Sequence, residues 1–199
     1  MNKLIGVLEY WFGDSPDDLQ VIREQGRLWF GKDEQVDATI RERFAPLVEE
    51  VGCSPMGSDS GSAAEHLAKI ILLDQFPRNI FRGSARAFAF DRLALSLTLR
   101  GLEQGVDRRL RPVERVFFYL PLEHSERLDD QDLSVALFSR LAEGVPETWK
   151  SAFAGFLDYA RRHQTIIARF GRFPHRNAIL GRTSTAEERN FLTEPGSSF

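Results

Sequence analysis

The stretch Ala63–Gly83, AAEHLAKIILLDQFPRNIFRG, decides the fold class. From Ala63 to Phe76 its apolar residues recur at helical rather than alternating spacing, and Pro77 ends the run, so it reads as a helix central to the core. Similar periodicity extends along almost the whole chain, and no segment combines the alternation and β-branched enrichment of a strand. The class is therefore all-α, with about nine helices in a single domain over residues 1–199.

Upstream, helices are expected from Asn2 to Phe12, from Ser15 to Trp29 with Pro16, Asp17 and Asp18 in the first turn, and from about Asp33 to a stop at Gly52, with a kink at Pro46. Between Gly52 and Ser62 the segment GCSPMGSDSGS reads as a flexible polar loop. Downstream, a helix from Ser84 to Arg100 ends at Gly101, another opens at Pro112 and is interrupted at Pro121, and Asp129–Ala142 and Pro146–Phe170 follow. A capping box, Ser184 to Glu187 or Thr185 to Glu188 in the alternative frame, opens a last short helix through Phe191. Tyr10-Trp11-Phe12 and Trp29-Phe30 read as core filling.

An apolar share of 42% with 16 Phe supplies a sizeable core, because chains of this length bury roughly 70% of their unfolded surface. A net charge of -3 gives no global field that would favour nucleic acid or an anionic membrane. The run Leu4–Leu8 is cut by Glu9 with no small-residue cleavage site after it, and no segment reaches the ~18 apolar residues of a membrane span. A cytoplasmic location is expected. The lone Cys53 reads as a free thiol. Glycine-rich phosphate loops, GxGxxG, HExxH and GxSxG are all missing, so no cofactor is expected, and nothing in the pattern decides the oligomeric state.

Arginine outnumbers lysine 22 to 4, a bias toward planar, bidentate pairing with carboxylate or phosphate. The arginines cluster at two corners that echo each other with a one-residue insertion: Phe76-Pro77-Arg78-Asn79 followed by Gly83-Ser84, and Phe173-Pro174-His175-Arg176-Asn177 followed by Gly181 and Ser184. Asp74 precedes the first corner, Arg82 closes it, and Arg172 and Arg182 flank the second. Facing each other, the corners make a cationic pocket; alternatively the arginines pair with Asp74, Asp91, Glu123 and Glu126 in buried networks. Asn79 and Asn177 read as helix N-caps or as hydrogen-bonding ligand residues.

Pro121 to Glu126, PLEHSE, packs two carboxylates and an imidazole into one turn. Glu123 and Glu126 share a helical face and supply a general base with His124, or metal ligands together with His163 or His175. The His124-Ser125-Glu126 element of a zinc deaminase lacks its paired cysteines, which excludes that class.

Taken in order, LEYWFG from Leu8, Trp29-Phe30, LLDQFPRNIFRG from Leu72, AFAFD from Ala87, PLEHSE from Pro121 and RFGRFPHRNAILGR from Arg169 resemble the bacterial domain-of-unknown-function family 924. The resemblance runs from Leu8 to Phe199 and implies a helical superhelix similar to tetratricopeptide repeats. It implies no activity, so function rests on the residues. The first expectation is a groove lined by Arg78, Asn79, Arg82, Arg172, His175, Arg176, Asn177 and Arg182, holding an anionic small molecule or acidic peptide. The second is a hydrolase in which His124 or His175 is the acid/base, Glu123 or Glu126 orients it, and the arginines stabilise negative charge, with or without a metal.

Overall fold

The computed structural model describes residues 3–54 and 61–198. Among them the chain forms α1 (Lys3–Phe12), α2 (Asp18–Phe30), α3 (Glu34–Gly52), α4 (Ala63–Asp74), α5 (Phe76–Ile80), α6 (Asp91–Glu103), α7 (Pro112–Glu123), α8 (Leu128–Gly144), α9 (Lys150–Phe170) and α10 (Ala186–Phe191), and no strand. α4 and α5 are one helical rod broken at Gln75, which brings the count to the expected nine. The rod resumes past Pro77 because that proline sits in the first turn of α5, where its missing N–H has no helical partner to lose. The central part of the polar loop expected at 52–62 lies outside the described residues.

Local signals account for most boundaries. Asp17, Asp33, Ser62 and Thr185 each accept hydrogen bonds from the first-turn N–H groups of their helices. Asp17 is thus the cap of α2, and Ser15 and Pro16 lie ahead of the helix rather than in it. The capping box uses Thr185 and Glu188. Two punctuation residues do not stop their helices. α7 continues through Pro121 to Glu123, since its buried faces, packed on α4, α6 and α8, hold the last turn despite one missing hydrogen bond. Gly101 lies inside α6, where a Cβ would come within 2.7 Å of Phe118 and 2.8 Å of His66. It marks a close helix approach and not a helix end. Asn79 sits within α5 and Asn177 follows a 3-10 turn at Pro174–Arg176, so neither is an N-cap.

The main core is lined by α1 to α9 around an aromatic centre. Trp11 packs edge-on against Phe76 and Phe117, each at 5.5 Å, and Trp29 Nε1 donates to the Trp11 carbonyl at 2.9 Å. Phe30 departs from the core-filling expectation, with 60% of its surface exposed. A smaller cluster of Ile166, Ile167 and Phe173, backed by Phe170 and Phe191, holds the C-terminal segment on the end of α9. Among the described residues no helix is long and apolar enough to cross a membrane.

Candidate functional site

Asp74 is the last residue of the apolar helix α4 and is fully buried, so its carboxylate needs partners inside the protein. It has three. His124, the residue that caps the C-terminus of α7, places Nδ1 2.7 Å from Asp74 Oδ1. Arg78, one turn on, donates to Oδ1 at 3.4 Å, and the Gln75 amide donates to Oδ2. Burial alone would raise the Asp74 pKa, but the neighbouring imidazole and guanidinium hold it below the usual carboxylate range. An ionised carboxylate only accepts hydrogen bonds, so His124 Nδ1 carries the proton and Nε2 is left as the basic nitrogen. Burial and Arg78 hold the His124 pKa below its ordinary value, which keeps that nitrogen unprotonated at neutral pH. His124 retains 14% exposure where Asp74 has none.

A second pair lies behind the first. His163 of α9 brings Nδ1 within 3.1 Å of Glu123 Oε1 and 2.9 Å of the Tyr159 carbonyl, and its ring centre is 6.2 Å from that of His124. Burial, with the Asp74 charge behind it, pushes Glu123 up to about 8, so it is an uncharged acid at neutral pH. Burial, then the neighbouring His124, pushes His163 down to about 3. The expected partnership is therefore corrected: Asp74, not Glu123 or Glu126, orients His124, while Glu123 pairs with His163. Glu126 is taken up elsewhere, accepting from Arg182 at 2.7 and 2.9 Å and from the Phe173 N–H at 2.8 Å.

The two echoing corners meet on Asp91, the first residue of α6. Arg78 donates to both of its oxygens at 3.1 and 3.3 Å, and Arg176 approaches Oδ2 at 3.6 Å. Each corner closes on a left-handed glycine, Gly83 at φ 78° and Gly181 at φ 66°. The Arg176 guanidinium is 4.3 Å from the Phe173 ring centre and 4.8 Å from that of Phe88, and it donates to the His124 carbonyl at 3.1 Å. Its Nε is buried without a hydrogen-bond partner among the described residues. Burial and the charge of Arg78 lower the Arg176 pKa to about 10. Beside it, burial and Arg176 bring His175 down to about 4.

The eight residues expected to line one groove divide among three places. Arg78, His175 and Arg176 belong to the cluster around Asp74 and Asp91. Asn79 and Arg82 both donate to Asp37 of α3, at 2.8 Å for Asn79 and at 2.6 and 2.8 Å for Arg82, and so fasten α5 to α3. Arg172 grips Glu188 at 2.6 and 2.8 Å, Asn177 donates to Ser184 Oγ at 3.0 Å, and Arg182 holds Glu126, which together pin the C-terminal segment. Phe88 and Phe173 lay outside the sequence-based assignment, which had joined Glu123 with His163 only as metal ligands, although a charged Asp74 ending an apolar helix already signalled a buried partner. Among the described residues no group of three or more His, Cys, Asp or Glu side chains is placed to hold a metal ion.

Over residues 7–196 the chain matches the family model described as bacterial protein of unknown function, DUF924. A solved structure of a protein of unknown function, ATU0120 from Agrobacterium tumefaciens, is 34% identical and superposes with a TM-score of 0.75 over 95% of this chain and 96% of that one. No curated protein matches.

Proposed function

The chain belongs to the bacterial DUF924 family, and from that premise we propose that it is an acid–base enzyme acting hydrolytically on a small anionic molecule, with His124 as the base. The observation that carries this reading is the contact of 2.7 Å between His124 Nδ1 and the fully buried Asp74. It fixes the imidazole tautomer and its orientation, as a base acting on water requires. His124 Nε2 takes a proton from water as the water oxygen bonds to the ester carbon or phosphorus. The bond to the leaving oxygen breaks, and that oxygen takes the proton back from His124. Arg176 supports the anionic part of the reading: it is buried, its ion pair with Asp91 is long, and its Nε is unpartnered. A small molecule fits better than an acidic peptide because the cluster is nearly closed, with His124 exposed by only 14%. A cytoplasmic setting and a tetratricopeptide-like stacking of successive helices, α7 on α8 and α8 on α9, are part of the same reading.

Purified protein incubated with generic phosphoester and carboxylester substrates, with and without divalent metals, should show turnover that falls by roughly 10²–10⁴-fold in His124→Ala. Turnover unchanged in that variant would overturn the assignment of the base. Arg176→Lys should raise KM more than it lowers kcat, because the planar donor fork is lost while the charge is kept.

A further inference from the structure

Apart from the Asp74–His124 cluster, α6, α7 and α8 bound a cleft of about 530 Å³, within the range of small-molecule sites. Leucines make its apolar part. Leu99 and Leu102 of α6 face Leu137 and Leu141 of α8, and of these Leu141 is buried while the other three are half-buried. Tyr119 of α7, 3% exposed, also lines the cleft, with its hydroxyl donating to Asp107 at 2.9 Å. The rim is cationic: Arg108, Arg115 and Arg140 line it. Arg115 spends its donors on the carbonyls of Leu110 and Arg108, and none of the three has a carboxylate within ion-pair distance among the described residues. The corner arginines differ, each being met by an acid. The cleft's two acids, Asp107 and Glu103, leave its three guanidiniums one charge in excess.

We infer that this cleft is a binding site for an amphipathic anion, an aliphatic carboxylate whose chain lies between the leucines of α6 and α8 and whose head meets the arginine rim. Leucine walls without the cations would take any oily molecule; the excess positive charge selects the acid. The site shares no residue with the Asp74–His124 cluster and does not depend on its chemistry.

Decanoate is a suitable probe, titrated calorimetrically and followed by leucine-methyl NMR. Saturable binding should shift the Leu137 and Leu141 methyls, 1-decanol should bind roughly tenfold more weakly, and the double variant Arg108→Gln, Arg140→Gln should lose a similar factor. Both arginines are exposed, so its melting temperature should match that of the wild type. His124→Ala should bind decanoate as the wild type does, which separates this result from the fate of the acid–base reading. Leu137→Glu provides a second check, since a like charge between the walls should abolish binding. Equal binding of decanoate and decanol, methyl shifts elsewhere, or full affinity in the double variant would overturn the inference.

Discussion

Glu123 is where burial has its plainest consequence at the scale of a residue. Its pKa rises from 4.5 to about 8 on folding, so between those values the folded chain holds a proton that the unfolded chain has lost. Stability from this group is therefore present below pH 4.5 and is lost as pH rises toward 8. His163 works in the opposite sense: its pKa falls from 6.5 to about 3, so its contribution is present above pH 6.5 and is lost as pH falls toward 3. The two slopes oppose each other from pH 4.5 to 6.5, and above that Glu123 acts alone. Melting temperatures should accordingly decline from pH 6.5 to 8 in the wild type and stay flatter in Glu123→Gln, which keeps the shape of the acid without its charge. A wild-type decline shared by the variant would place the titration elsewhere. Neither pairing was readable from spacing. Asp74 and His124 are fifty positions apart, and the adjacency of Glu123 and His124 in sequence suggested a partnership that the helix end prevents, since consecutive residues on a turn point different ways. What the chain did disclose was the oddity of a carboxylate in an apolar run, because burial of a charge needs a partner whatever the fold.

Among the elements, glycines and prolines were the least dependable guides. Their rules describe isolated helices, whereas α6 and α7 are held by packing on several sides. Gly101 serves this packing by letting α6 approach Phe118 and His66. In solvent an alanine there would favour the helix, but here its methyl meets ring atoms below 3 Å, so Gly101→Ala should destabilise by about 1–3 kcal/mol in chemical denaturation. A gain in stability would mean that the two rings move aside freely. The helices themselves were recognisable because their apolar periodicity and caps are local properties, as at Asp33 and Ser62. The break at Gln75 was not, since it depends on where α5 finds Asp37 on α3.

Across the whole molecule, one tie between the segment from Phe173 to Arg182 and the bundle is Glu126, which receives Arg182 and the Phe173 N–H together. Glu126→Ala should loosen that tie by about 2 kcal/mol. Amide hydrogen exchange should then speed up between Phe173 and Arg182 while α4 and α7 keep their protection; uniform acceleration would instead mean that the segment and the bundle unfold as one. The echo between the corners hinted that they belong together, yet only the folded chain shows Arg78 and Arg176 sharing Asp91. That shared carboxylate also imposes an order of assembly. Chains are made from the N-terminus at about 5–20 residues per second. Asp74, Arg78 and Asp91 are thus available well before Arg176 has been made. A chain ending short of Phe173 holds Asp74, Arg78, Asp91 and His124 but lacks the second arginine of the cluster. Completion of the cluster is thereby a late event in the making of each molecule.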